Sequence, residues 1–421
     1  MTRSWWMTAQ LILFAAAVLA VPAVCRAVDL GISSDTIVRV YERDDRNGRG
    51  RSLLPVYEFM RIDYGSVTTP GLSLHAYGWG RLDLRDSHED GDAEGDLLYA
   101  YLEYIDPDRD HQVRIGRQYL FEGVMRESFD GLYARTELVP TVALSAFAGM
   151  PVGAGSAAGR SGDLIYGARI VQGQRGRYDA GISYKYVAND GSRSEELLGA
   201  DLSLILPAGI SLFGHSTLNL LTGGWGEHSY EARIPFASME FRPFYQRYRY
   251  SDYLNDRSGS SRPFRFQTAL GDRVEIAGAE GFWYPAESVE FGGRYKYLTY
   301  DRRFGNAHMA TALATVRRGI FSEAGLEFGR VQGDLAENRY YLGRGYLYGD
   351  FTPWFATGDV TYVRYDRAIY GENSALFVSA GLGRKMPDPA LSLKLSVDYS
   401  NDPYFHKDYR GTLAVTYAFR R

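Results

Sequence analysis

The sequence predicts a closed antiparallel β-barrel that spans a membrane with about 22 strands, within a range of roughly 18 to 24. Apolar and polar residues alternate along many short segments, and the connections between these segments alternate between short turns and longer polar loops. The 421 residues include 33 tyrosines and 47 glycines, and no apolar run after the first 27 residues is long enough for a spanning helix. Alternation of this kind gives each strand one apolar and one wet face.

The last hairpin, residues 391–399 and 411–421, shows the clearest alternation. Its first arm places an apolar set against a polar set, Leu391, Leu393, Leu395, Val397 and Tyr399 against Ser392, Lys394, Ser396 and Asp398. The second arm ends on Tyr417, Phe419 and two arginines. This arm resembles the terminal strand of bacterial outer-membrane β-barrels, although Arg420 and Arg421 follow the aromatic residue. The resemblance implies recognition by the barrel-assembly machinery and a location in the outer membrane.

The first 27 residues predict a secretory signal peptide. Arg3 precedes an apolar run over 11–21, and a small residue, Ala27, stands at the expected cleavage point. Residues 28–421 are then expected to form one barrel domain without a separate plug. Cys25 is the single cysteine, so the mature chain is expected to have no disulfide, no thiolate metal site and no CxxCH haem attachment. Val24 disfavours a lipoprotein interpretation of Cys25.

The connections between predicted strands alternate in length, with short ones near 206–209, 284–287, 349–353 and 386–390. Longer polar ones are expected at 85–96, 119–130, 149–162, 188–195, 251–271 and 401–409. Short periplasmic turns and long external loops are typical of outer-membrane barrels. The barrel must close because hydrocarbon leaves no partner for an open sheet edge. About 22 strands imply a diameter on the order of 40 Å, which side chains alone do not fill.

Three arginines are the first candidate lumen residues. Arg114 and Arg117 lie in the string Val113-Arg-Ile-Gly-Arg-Gln118, and Arg135 follows on the next predicted strand. The string resembles a segment of large porin-like and polysaccharide-export barrels. Arg114 and Arg117 differ in parity, so both face inward only if Gly116 marks a bulge. Inward arginines would select anionic solutes. The alternative is that they pair with nearby carboxylates.

A second candidate group lies on the segment from Glu240 to Tyr250. Strict parity separates Glu240 and Arg242 from Arg247 and Arg249, but one extra residue at Pro243 would bring all four inward. Residues of segment 288–300 would join them on the polar face, namely Glu290, Arg294 and Lys296. Together these residues would make a charged constriction. The alternative is a solvated polar interior without a defined constriction.

Three further segments carry residues of functional interest. The loop 251–271 either folds inward to narrow the channel or lies on the surface. The acidic loop 86–96 is dense enough in carboxylates for Ca²⁺, but its spacing does not match an EF-hand, which favours a solvated loop. The string from Asp108 to His111 lacks a positioned third group, so no catalytic residue and no metal site are expected.

The predicted function is an outer-membrane channel, porin-like, that passes small hydrophilic solutes through a charged lumen. No cofactor and no enzymatic activity are expected, and a net charge of −4 argues against a nucleic-acid partner. The expected partners are outer-membrane lipid and lipopolysaccharide. A second interpretation, by resemblance to porin–cytochrome barrels, is a sheath around a periplasmic multihaem cytochrome that would carry any haem itself.

Overall fold

The computed structural model describes residues 29–44, 50–65, 70–85, 92–106, 110–152, 163–174, 176–253, 273–300, 305–319, 321–386, 390–403 and 407–420. The predicted signal peptide, residues 1–27, lies outside them and stays a prediction. The described part of the chain contains no helix that is both long and apolar enough to cross a membrane.

Strand segments make up almost the whole described chain. They are β1 (Leu30–Asp44), β2 (Gly50–Leu53), β3 (Pro55–Tyr64), β4 (Gly71–Asp83), β5 (Ala93–Asp106), β6 (His111–Glu122), β7 (Met125–Val139), β8 (Val142–Pro151), β9 (Leu164–Gln174), β10 (Tyr178–Asn189), β11 (Ser192–Ile205), β12 (Ser211–Asn219), β13 (Gly224–Phe236), β14 (Met239–Arg249), β15 (Arg273–Ala286), β16 (Val289–Tyr300), β17 (Asn306–Arg318), β18 (Phe321–Gly333), β19 (Arg339–Phe351), β20 (Trp354–Ile369), β21 (Glu372–Met386), β22 (Ala390–Asn401) and β23 (Asp408–Arg420). One short helix, α1 (Tyr250–Tyr253), follows β14.

The sheet closes on itself as a barrel. Neighbouring strands pair antiparallel around the wall, and β23 pairs back onto β1 from Gly31↔Arg420 to Tyr41↔Arg410. Because β2 and β3 both pair with β1 on either side of Leu54, they form one interrupted wall strand. The 23 segments therefore make 22 wall strands, which confirms the predicted fold and strand number.

The outer face of the wall is apolar. On the closing hairpin Leu395 and Val397 are 60% and 57% exposed, while the polar residues between them point to the lumen. Large apolar side chains are exposed in the same alternating way around the wall, as Leu326 and Phe328 show on β18. Such a surface is far too extensive to face water, so it faces lipid. The protein is thus a membrane-spanning barrel of the outer-membrane type.

The two rims differ as the sequence predicts. Two residues connect the strands at 237–238, 287–288 and 352–353 on one rim, whereas 12 residues separate β8 from β9 on the other. Two predicted loops are wrong, however. The segment 188–195 contains only the tight turn Asp190–Gly191, whose φ angles of 50° and 72° suit a two-residue hairpin turn. The segment 119–130 is a continuous hairpin.

Candidate functional site

Strands β6 and β7 extend beyond the wall as a hairpin, residues 117–130, which we call the lumen hairpin. The ladder between β5 and β6 ends at Ala100↔Arg117, and β7 pairs with β8 only as far as Phe129↔Pro151. Pairing between β6 and β7 continues to Glu122↔Met125. The part of the hairpin beyond these pairs therefore has no neighbouring wall strand at its edges, and it bends into the lumen of the barrel.

Glycines at the base of the lumen hairpin allow the strands to approach closely. Gly116 has a φ of 126° and pairs with Gly131, which in turn pairs with Gly149. A Cβ atom at Gly116 would lie 2.3 Å from the carbonyl oxygen of Ala100, and one at Gly131 would lie 2.2 Å from that of Ala148. A side chain at either position would push the ribbon away from its present path.

We expect Gly131→Ala to destabilise the barrel by about 1–3 kcal/mol, because the added methyl group meets backbone that cannot move independently. The measurement is the urea midpoint of the detergent-solubilised protein, followed by tryptophan fluorescence. Gly343→Ala is the matched control, since nothing lies within 4 Å of its Cβ position. Equal midpoints for the two variants would contradict the role assigned to Gly131.

The inner face of the lumen hairpin packs on the wall through apolar side chains. Leu120, Met125 and Phe129 are at most 4% exposed. The rings of Phe129 and Phe147 on β8 lie 5.6 Å apart between centroids. The whole buried cluster comprises Leu120, Met125, Phe129, Tyr133, Phe147, Ile165 and Val187. A lumen wall would normally be polar, so these wall residues are apolar because the hairpin covers them.

The first polar anchor of the hairpin is a lysine between two carboxylates. Lys185 on β10 contacts Glu127 of the hairpin, and its Nζ lies 2.5 Å from Oε1 of Glu195 on β11. The Lys185 side chain is only 4% exposed, whereas the side chains of Glu127 and Glu195 are 33% and 25% exposed. A cation this deeply buried needs its counter-charges to stay in place.

A second anchor joins the hairpin to β13. The Nη1 atom of Arg126 donates to Oε2 of Glu227 at 3.0 Å. His215 Nε2 lies 3.0 Å from the other oxygen of this carboxylate, whose side chain is 5% exposed. Arg126 also lies over the ring of Phe121 at 5.6 Å. This contact ties the hairpin to a strand that is about a hundred residues away in the chain.

The third anchor centres on Glu122 at the end of β6. Its carboxylate accepts hydrogen bonds from Ser145 Oγ at 2.9 Å and from Tyr133 Oη at 3.0 Å. Arg135 and Arg169 donate to it at 3.2 Å and 3.4 Å. Beside this cluster, the backbone nitrogen of Val124 donates to Ser183 Oγ at 3.1 Å. The tip of the hairpin is thus fixed to β8, β9 and β10.

The opposite face of the lumen hairpin is exposed. Tyr119 and Phe121 are 50% and 75% exposed, on the side that points away from the packed wall. The hairpin lies along the inner face of β8 to β13 and narrows the lumen from that side. Among the described residues, this inward-lying hairpin is therefore a segment for which the sequence predicts an external loop.

The first predicted group of arginines is paired with carboxylates. Arg114 Nε lies 2.7 Å from Glu103 Oε1. Arg117 makes a two-pronged pair with Asp130, at 2.8 Å and 2.9 Å, inside the lumen hairpin. Arg135 belongs to the Glu122 anchor. Gly116 has a positive φ, but the pairing of β5 with β6 shows no register shift, so the predicted bulge does not lie there. The geometry matches the alternative of local pairing.

In the second predicted group, Glu240 and Arg242 lie on the lumen face. The Glu240 side chain is 5% exposed and contacts both Arg242 and Arg233, the latter at 2.5 Å. On the neighbouring strands Arg294 Nε lies 2.5 Å from Glu280 Oε1. These pairs form one charged strip across β13 to β16, which agrees with a polar lumen wall.

The predicted bulge at Pro243 is wrong, and with it the inward placement of Arg247 and Arg249. The ladder between β14 and β15 runs without a register shift from Met239↔Trp283 to Arg249↔Arg273. Pro243 interrupts the pairing towards β13 but adds no residue, because proline lacks only the donor. Both arginines therefore share the face of Phe241. Arg247 lies 3.4 Å from Glu275 and Arg249 lies 3.3 Å from Asp252.

The remaining predicted residues are separate from one another. Glu290 pairs with Arg317 at 3.0 Å near the short-turn rim. The Nζ atom of Lys296 lies 5.5 Å from the ring centre of Phe244. The ten predicted residues thus do not form one ring around the lumen. They form local pairs at several heights, and their role in solute passage stays a prediction.

Several sequence predictions fall outside the described residues. These are the core of the loop 251–271, at 254–272, most of the acidic loop, at 86–91, and residues Asp108 and Arg109. Among the described residues, no group of three or more histidine, cysteine, aspartate or glutamate side chains is arranged to hold a metal ion.

Comparison with solved structures shows the fold of the chain. A chain in the Escherichia coli P pilus tip assembly intermediate that contains PapC, PapD, PapK and PapG shares 10% identity, with a TM-score of 0.56. The alignment covers 93% of this protein and 60% of that chain. No protein-family model and no curated protein sequence matches.

Two crystal structures are similar to this chain over nearly their full length. OccAB4 from Acinetobacter baumannii shares 10% identity, with 95% of this chain and 100% of that chain covered, at a TM-score of 0.48. OccK2 (OpdF) from Pseudomonas aeruginosa, in complex with glucuronate, shares 11% identity, with 93% and 98% covered, at a TM-score of 0.47.

Proposed function

We propose that the protein is an outer-membrane channel through which small hydrophilic solutes diffuse. The lumen hairpin is the observation that carries this proposal. A barrel of 22 strands has a diameter on the order of 40 Å, so it needs an internal element to set the size of what passes. The hairpin supplies that element from one side of the wall.

The free lumen wall supports passage of hydrated solutes. Charged pairs line it on the strands that the hairpin does not cover, among them Arg344–Asp359 at 2.5 Å and Lys385–Asp350 at 2.6 Å. Pairs of opposite sign keep water in the lumen without building a strong single-sign field. Solutes would exchange part of their hydration shell for these groups and move by diffusion, with no catalytic step.

The hairpin disfavours the second interpretation, in which the barrel surrounds a multihaem cytochrome. A threaded partner would need the lumen space that residues 117–130 occupy. The apolar cluster and three polar anchors hold the hairpin on the wall, so its displacement would expose Phe129 and leave Lys185 without Glu127. A channel needs no such displacement.

The purified full-length protein should give stable single-channel current steps in a planar lipid bilayer. The same preparation after heat denaturation is the control. The barrel should also fractionate with the outer membrane of a Gram-negative host. A folded barrel that inserts but carries no current would overturn the proposal, and a co-purifying protein with haem absorbance would favour the sheath instead.

A further inference from the structure

The inner face of β3 to β5 carries a set of aromatic side chains that the channel proposal does not use. The set, which we call the aromatic patch, is Phe59, Tyr77, Trp79, Tyr99 and Tyr101. They alternate with lipid-facing residues such as Leu102, which is 43% exposed on the outer side. Aromatic girdles of barrels lie on the outer face near the rims. An inward patch therefore needs another explanation.

The rings of the aromatic patch form a strip of two contacting groups, Phe59 with Trp79 and Tyr77 with Tyr99 and Tyr101. Centroids of Phe59 and Trp79 lie 6.5 Å apart, those of Tyr77 and Tyr99 lie 5.6 Å apart, and those of Tyr99 and Tyr101 lie 5.7 Å apart. All three separations fall in the range of ring contact. Each of the five side chains is half-buried, so the strip stays open to the lumen. It rises along the strands over about 13 Å.

Hydrogen-bonding groups border the strip. Arg61 lies opposite Tyr77 in the ladder, and Asp63 lies opposite His75. The Nε atom of Arg61 contacts Asp63 Oδ2 at 2.7 Å, and His75 Nδ1 lies 2.6 Å from Asp63 Oδ1. The Arg61 and Asp63 side chains keep 51% and 30% of their exposure. Donors and acceptors thus stand beside the rings with opposite charges that offset each other.

We propose that the aromatic patch is a binding strip for a short neutral oligosaccharide. A sugar ring has an apolar face of C–H groups that can lie on an aromatic ring, and a rim of hydroxyls that both donate and accept. Arg61 and Asp63 can serve those hydroxyls, and their opposite charges offset each other. This inference rests on the proposed channel and names its class of solute.

The test is block of the single-channel current by glucose oligomers of two to six units. Maltotriose should reduce the current reversibly in the unmodified channel. Trp79→Leu and Tyr99→Leu should each raise the half-blocking concentration by about tenfold, because a ring contact of about 1.4 kcal/mol corresponds to that factor. Trp79→Tyr should restore most of the block. Tyr104→Leu, on the outer face of β5, is the matched control and should leave block unchanged.

The outcomes separate the two proposals. A channel that conducts but is not blocked by any oligomer would overturn the sugar strip and leave the channel proposal intact. Equal block by polyethylene glycol of matched size, unchanged in Trp79→Leu, would show simple exclusion by size and would also overturn the strip. Absence of current in the folded protein would overturn the channel proposal itself.

Discussion

Removal of the lumen hairpin is expected to raise the single-channel conductance at least about twofold, because the open cross-section sets the current through a water-filled pore. The variant replaces residues 119–128 by Asn-Gly, which favours a two-residue turn. Gln118 and Phe129 already pair across the hairpin, so they can flank the new turn. Planar-bilayer recording of the purified variant gives the measurement.

The deletion also uncovers apolar wall residues, so the folded state must be checked. Phe147, Ile165 and Val187 would lose their cover, and each buried side chain of this size contributes about 1.5–3 kcal/mol. Heat-modifiable migration in gel electrophoresis reports whether the barrel is still closed. Gly343→Ala is the control, because nothing lies within 4 Å of its Cβ position and its strand, β19, pairs with β18 and β20 rather than with the hairpin. A closed deletion variant with unchanged conductance would contradict the constriction.

The alternation of side chains made the barrel predictable from the sequence. Along β22 the period of two separates Leu395 and Val397 from Lys394 and Ser396 without ambiguity, and the structure places these sets on opposite faces. The number of strands follows because each turn signal ends one such run. Local patterns therefore predict most of the wall, because most wall residues face either lipid or the lumen.

The lumen hairpin could not be predicted in the same way, because its partners are distant in the chain. Arg126 binds Glu227, 101 positions later, and Lys185 binds Glu127 across 58 positions. One local signal was present. Tyr119, Leu120 and Phe121 make the segment apolar on both faces, which an external loop would not need. The apolar lumen-facing residues of β8 to β10 lie where the hairpin covers them, and this contact exists only in the closed barrel.

The predicted charged residues show a similar limit. Parity placed Arg242 and Arg294 on the lumen face, but their pairing with Glu240 and Glu280 depends on the register between strands. The predicted bulge at Pro243 is wrong because a missing N–H donor interrupts the hydrogen-bond ladder without shifting its register. A single sequence does not distinguish these two responses to proline.

Loss of the lysine anchor is the second large expected effect. Lys185→Met leaves Glu127 and Glu195 facing each other without a cation. Removal of one partner from a fully buried pair costs about 3–5 kcal/mol. Both glutamates keep a quarter to a third of their exposure, so water offsets part of this cost, and we expect a loss of about 2–4 kcal/mol. The urea midpoint of the detergent-solubilised barrel should fall accordingly.

Neutralisation of the whole anchor distinguishes unpaired charge from lost packing. The triple variant Glu127→Gln, Lys185→Met and Glu195→Gln has no charge left to desolvate, so most of the lost stability should return. Lys385→Met is the matched control, because Lys385 and its partner Asp350 are 45% and 27% exposed and water replaces their contact. Its midpoint should stay nearly unchanged. If Lys185→Met is as mild as this control, or if the triple variant is less stable than the single one, the anchor does not hold the hairpin through charge.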